Sequence, residues 1–197
     1  MNRQVKIAII DYGAGNIKSV QFALERMGYS GFLTGDAEEI QSADKVIFPG
    51  VGEAQTAMDA LKARGLDKVI PQLKQDVLGI CLGMQLMCHW SEEGNTDCLN
   101  IFPMDTPEFP APLKVPHVGW NELEQTKSKL FEGITPGSFA YFVHSYYVPL
   151  SDYTVAQAEY GFPFSAALIK DNFYACQFHP EKSSKTGEQI LKNFLQL

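Results

Sequence analysis

Positive charge is in short supply in this chain. Its 16 Lys and Arg are outnumbered by 23 Asp and Glu, a formal net charge of −7. That balance argues against a general nucleic-acid or membrane-surface binder and favours solubility. Cysteine is scarce as well. The 4 present are Cys81, Cys88, Cys98 and Cys176, with no C-x-x-C pair and no metal-ligand spacing. Structural zinc is therefore not expected, and a reducing cytoplasm is the simplest home. No apolar run resembles a membrane span. Met1 to Asp11 carries Arg3, Lys6 and a short apolar run but lacks a cleavage-site pattern and a long hydrophobic region. It reads as a first strand, not a signal peptide. There is no internal repeat, low-complexity tract or composition break, so residues 1–197 are expected to form one domain.

What is present alternates between two periodicities. Val5-Lys6-Ile7-Ala8-Ile9-Ile10-Asp11 is nearly continuous in β-branched residues, as a buried parallel strand requires. A helix follows with Ile17, Val20, Ala23, Leu24 and Met27 on one face, ended by Gly28. Gly13-Ala14-Gly15 lacks the third glycine of a dinucleotide-binding loop, since Lys18 stands there; a tight βα loop is the better reading. Strands are expected at Gly31 to Thr34 and Lys45 to Phe48, and helices over Glu53 to Arg64 and Leu66 to Gln75. A further strand leads to Cys81, with a helix running on to about Trp90. This βα alternation predicts an α/β fold with a mostly parallel open sheet and helices on both faces. Beyond Glu93 a proline-rich stretch predicts connecting and edge structure. Short strand-like runs between Phe139 and Phe178 predict antiparallel additions, and Ser183 to Leu197 a closing helix.

The chemistry concentrates around Gly79-Ile80-Cys81-Leu82-Gly83. Gly-x-Cys-x-Gly between strand and helix is the nucleophile-elbow pattern with sulfur in place of hydroxyl. Flanking glycines make room for the sharp turn, and the helix N-terminus favours thiolate. A buried core cysteine after a tight turn is the alternative reading. A cysteine nucleophile needs a base, an orienter and an oxyanion site. Of the 4 histidines, His179 ends a strand and is followed by Pro180-Glu181. In extended geometry Glu181 projects to the same side as His179 and can hold its ring. Taken alone, His-Pro-Glu is more often a surface turn; beside an elbow cysteine that reading weakens. Backbone N–H groups from Leu82 and from Pro49-Gly50-Val51-Gly52, which leaves a neighbouring strand, are the candidate oxyanion donors. Glycines on both sides of Val51 would let its peptide rotate.

Phe48 to Gly52, Gly79 to Gln85 and Gln177 to Ser183 together resemble the class I (triad) glutamine amidotransferases. Asp11 to Asn16, Val115 to Asn121 and Tyr141 to Tyr146 are similar to the branch of glutaminase subunits serving imidazole glycerol phosphate synthases in histidine biosynthesis. The resemblance implies that Cys81 attacks the glutamine side-chain amide and forms a glutamyl thioester. His179 would shuttle protons, Glu181 orient it, and Val51, Gly52 and Leu82 form the oxyanion hole. It assigns glutamine binding to Gly50, Gly52, Gln85, His144, Ser145 and Tyr146. It further implies a heterodimer with a (β/α)₈-barrel cyclase, met through Asn16, Trp120 and Lys182, which uses the ammonia to make imidazole glycerol phosphate and the aminoimidazole carboxamide ribotide. No metal or organic cofactor is implied. Two departures, Cys88-His89-Trp90 and Cys98 to Phe102, leave the triad untouched. A glutaminase feeding another acceptor, as in surface-sugar amidation, and a catalytically silent regulatory subunit stay open as alternatives.

Overall fold

The computed structural model describes residues 5–13 and 17–197. In chain order its elements are β1 (Ile7–Ile10), α1 (Ile17–Arg26), β2 (Gly31–Thr34), α2 (Ala37–Gln41), β3 (Lys45–Gly50), α3 (Ala54–Ala63), α4 (Leu66–Val69), β4 (Asp76–Cys81) and α5 (Leu82–Leu86). The second half adds β5 (Trp90–Ser91), β6 (Thr96–Asp97), β7 (Asp105–Thr106), β8 (His117–Leu123), β9 (Ser138–His144), β10 (Thr154–Glu159), β11 (Pro163–Lys170), β12 (Phe173–Cys176) and α6 (Ser184–Gln196).

The principal sheet has the order β10-β11-β12-β4-β3-β1-β2. Strands β12, β4, β3, β1 and β2 run parallel, and β10 and β11 join antiparallel at one side. Alternation along β1 divides the core between the two faces. Ala8 and Ile10 pack with α3 residues Ala57, Met58 and Leu61, whereas Ile7 and Ile9 pack with Val20 and Leu24 of α1 and Ile190 and Phe194 of α6. The expected mostly parallel α/β sheet with antiparallel additions is what forms.

Three local readings differ. Helix α2 was not anticipated; Asp36 caps it by accepting from the Glu39 N–H at 2.9 Å. Helix α5 stops at Leu86 and does not continue to Trp90. The cause is a competing set of donors: the N–H groups of Leu99, Ile101 and Asn100 bond the carbonyls of Leu86, Met87 and Cys88. With those acceptors taken by the 99–102 segment, another helical turn has no bonds to make. The proline-rich stretch contributes β7 to a small sheet with β5 and β6, and β8 pairs with β9 as a separate ribbon.

The elbow glycines provide space. A Cβ on Gly83 would lie 2.0 Å from the Phe48 carbonyl oxygen, and one on Gly79 would lie 2.8 Å from Met87 Sδ. The unusual backbone angle sits on Cys81 itself, at φ 54° and ψ −111°. Gly83→Ala should therefore cost about 3 kcal/mol, a fall in Tm of roughly 6–12 °C for a chain of this size. Thermal melting by circular dichroism measures it; an unchanged Tm would show that β3 and α5 are not packed this closely.

Candidate active site

Cys81 ends β4 in the middle of the sheet, and its neighbours in register are Gly50 at the end of β3 and, one residue earlier, Cys176 opposite Ile80 on β12. Both flanking strands exit at the same edge. The loop after β3 brings Val51 and Gly52, and the segment after β12 brings Gln177 to Lys182. A cavity of about 300 Å³ opens there, the edge at which open parallel sheets place their ligands.

His179 and Glu181 meet beside Cys81. Imidazole Nδ1 lies 2.8 Å from Glu181 Oε1, with the side chains 4% and 2% exposed. The path differs from the expected one: β12 has ended, and Pro180–Lys182 is a single 3₁₀ turn, so the carboxylate reaches the ring across that turn. The His179 backbone is clamped by β9. Its N–H donates to Tyr141 O, while Ser183 Oγ donates to His179 O and accepts from Tyr141 N. Ser183, wholly buried, was not singled out from the sequence. Burial lowers the His179 pKa, but hydrogen bonds to Cys81 and Glu181 outweigh it and lift the ring to about 10. Glu181 Oε2 is buried without a hydrogen-bond partner, so Oε1 carries the contact with the ring.

The sulfur has two further neighbours. As a thiol it donates to Val143 O at 3.6 Å, and Gln177 Nε2 stands 3.9 Å from it. The other cysteines are unsuited to nucleophilic work. Burial pushes Cys88 and Cys98 up to about 12 and Cys176 well above its ordinary value. Cys88 Sγ points into the core, onto Met84 O at 3.5 Å.

Of the expected binding residues, Gly52, Gln85, His144, Ser145 and Tyr146 line the cavity, together with Val51 and Leu82. Gly50 does not; it is buried below, where a Cβ would lie 2.7 Å from Gly83 N and 2.9 Å from Tyr12 Oη. Gly52, at φ 108° with open space around it, is the position with conformational freedom. Gln85 spends its Nε2 hydrogens on Tyr146 O and Gln177 Oε1, both at 3.0 Å. Its own Oε1 is the atom left to meet a ligand. Glu93 was not foreseen. It is the one carboxylate among the described lining residues, and its Oε2 accepts from the Ala54 N–H at the start of α3. No local sequence signal marks it, because it is the turn between β5 and β6 that delivers it.

His144 is occupied on both ring nitrogens. Nδ1 donates to Tyr146 O at 2.7 Å, so in the neutral ring Nε2 accepts from His117 Nδ1 at 3.1 Å. His117 is stacked between Phe142 and Tyr160. His144 therefore builds the wall that carries Ser145 and Tyr146 and has no ring nitrogen to offer a ligand. Trp120 and Lys182 are exposed, Lys182 at the cavity mouth. Asn16 lies outside the described residues. Among the described residues no cluster suited to a metal ion occurs, and no helix is long and apolar enough to cross a membrane.

Comparison with known proteins gives a consistent picture. Residues 8–197 match the family model Glutamine amidotransferase class-I. The imidazole glycerol phosphate synthase subunit HisH of Bacteroides thetaiotaomicron is 61% identical over 98% of this chain and 100% of its own length. The protein of the same name from Haemophilus influenzae is 50% identical, covering 98% of both chains. The solved structure of PurLQS from Thermotoga maritima superposes with a TM-score of 0.75 at 14% identity, over 98% of this chain and 99% of that one.

Two outcomes follow. Gly52→Ala, which has room but the wrong φ, should leave Tm within a few degrees yet lower turnover, whereas Gly50→Ala should mainly destabilise; melting and steady-state kinetics separate them. Burial lowers the His144 pKa to about 3. The unfolded chain takes up this proton as pH falls through ~6.5 while the folded one does not, so stability is lost toward acid. Between pH 7 and 5 wild type should lose about 2 kcal/mol more than His144→Gln, measured by urea titration; equal losses would place the ring in a solvated setting.

Proposed function

Because the chain belongs to the class I glutamine amidotransferase family, we propose that it is the glutaminase subunit of an imidazole glycerol phosphate synthase, releasing ammonia from glutamine for histidine biosynthesis. The observation that carries this reading is the buried Cys81, His179 and Glu181 set at the floor of a cavity of about 300 Å³, a size suited to one amino acid. Full-length identity to two proteins named as that subunit supports the choice of pathway.

The chemistry assigns each residue a task. Glu181 holds Nδ1 of His179, which leaves Nε2 for the sulfur. His179 takes the thiol proton, and Cys81 attacks the amide carbon of glutamine. The developing oxyanion is met by the N–H of Leu82 and by a Val51–Gly52 peptide turned toward it. The imidazolium then gives its proton to the departing nitrogen, and ammonia leaves a γ-glutamyl thioester. His179 next takes a proton from water, which attacks the thioester and frees glutamate. Gln85 Oε1 and the Glu93 carboxylate suit the N–H groups of the bound amino acid. No step calls for a metal or organic cofactor.

Ammonia made here needs an acceptor close by, and the ribbon offers a surface for its owner. Val118, Trp120 and Glu122 of β8 stand opposite Val143, Tyr141 and Phe139 of β9. Val118, Trp120 and Phe139 are each about half exposed, at 56%, 52% and 49%, while Val143 lines the cavity. This apolar ladder runs from the cavity mouth outward, the setting of a protein interface. A (β/α)₈-barrel cyclase, bound as a heterodimer in the cytoplasm, is the proposed occupant, with Lys182 at the margin.

Cys81→Ala should abolish glutamine hydrolysis while the reconstituted synthase still works with added ammonium salt; retained glutaminase activity would exclude the thioester route. Trp120→Ala should weaken assembly by ~2 kcal/mol, about thirtyfold in Kd, and Lys182→Ala by less. Calorimetric titration with the cyclase reads both, and unchanged Kd values with unchanged ammonia transfer would move the interface elsewhere.

A further inference from the structure

We propose that Gln177 is a catalytic residue, donating an N–H to the Cys81 sulfur through a chain of two side-chain amides whose direction is set by the Tyr146 carbonyl. The proposal rests on Cys81 being the nucleophile.

The chain starts from an atom of fixed polarity. A backbone carbonyl only accepts, so the Gln85 atom 3.0 Å from Tyr146 O is its Nε2. The second hydrogen on that nitrogen goes to Gln177 Oε1, also at 3.0 Å. Gln177 then has its nitrogen, and not its oxygen, turned toward Cys81 Sγ at 3.9 Å. Turning either amide over would oppose oxygen to oxygen or nitrogen to nitrogen. His144 Nδ1 adds a second donor to the same carbonyl at 2.7 Å and helps pin the anchor. The backbone of Gln177 is fixed too, its N–H bonded to Ala166 O at 2.8 Å.

The sulfur needs such a donor. Once its proton is on His179, the Val143 carbonyl 3.6 Å away faces an anion and opposes it. Helix α5 has only five residues, Leu82–Leu86, so its dipole is small. Gln177 is wholly buried, Gln85 is 4% exposed and Cys81 7%. Water competes little there, and a hydrogen bond to a charged atom gains strength. Being neutral, the amide donates at every pH and leaves His179 free to exchange the proton.

The test is the pH dependence of Cys81 alkylation by iodoacetamide in the full chain, resolved by peptide mass spectrometry so that Cys98 is counted separately. Gln177→Met keeps side-chain volume and removes the donor. Its alkylation midpoint should rise by roughly one unit, making Cys81 about tenfold less reactive at neutral pH, and the acidic limb of kcat/KM for glutamine should move with it. Gln85→Met leaves the Gln177 amide in place but unanchored and should shift the midpoint the same way by less. It decides the matter if thermal melting shows that Gln177→Met has not folded. Profiles superimposable on wild type in folded variants would overturn the role of Gln177. Wild-type enzyme that still hydrolyses glutamine after complete Cys81 alkylation would overturn the nucleophile assignment instead.

Discussion

At Cys81 the chain holds a non-glycine residue at φ 54° and ψ −111°, a backbone state that costs of order 1–3 kcal/mol. It persists because β4 is paired on both sides, with β3 up to Gly50 and with β12, and because the following turn is wedged against Phe48 with no room for a Cβ on Gly83. Much of the site follows from that one turn. It aims the sulfur out of the sheet edge, starts α5 immediately behind it, and places the exits of β3 and β12 within reach. The strain is offset by the packing of a seven-stranded sheet.

Burial lowers the pKa of both buried histidines of this site, yet their net shifts are opposite. His144, among Phe109, Phe142 and Phe164, has no carboxylate partner, and desolvation pushes it down to about 3. His179 is also buried, yet its ring bonds a carboxylate and a thiol, and the result is a rise to about 10. The difference lies in partner charge rather than exposure. One ring stays neutral and builds a wall; the other carries the proton. Burial also raises the thiols of Cys88, Cys98 and Cys176.

The sheet and the trio of Cys81, His179 and Glu181 were legible in the sequence because they depend on local pattern: β-branched runs, glycine spacing, and a proline that fixes the chain after His179. What escaped depends on contacts between distant segments. Helix α5 ends early because residues 99–102 supply its carbonyls with donors, which no helical periodicity reveals. The His117–His144 bond spans 27 positions and the Gln85–Gln177 bond 92. Glu93 reaches the cavity from a loop whose fold is set by β5 and β6. Gly50 and Gly52 belong to one motif, yet a Cβ on Gly50 would meet Gly83 N whereas Gly52 holds φ 108° in open space, a difference that only the structure reveals.

The account turns on Cys81 as the atom that bonds the substrate. A glutamine analogue carrying an electrophilic carbon at the amide position, incubated with the protein and followed by peptide mass spectrometry, tests this directly. The expected result is one label per chain, on Cys81, with loss of glutamine hydrolysis in proportion and protection by glutamine. Label on Cys88, Cys98 or Cys176 in its place, or full hydrolysis by a fully labelled protein, would contradict it.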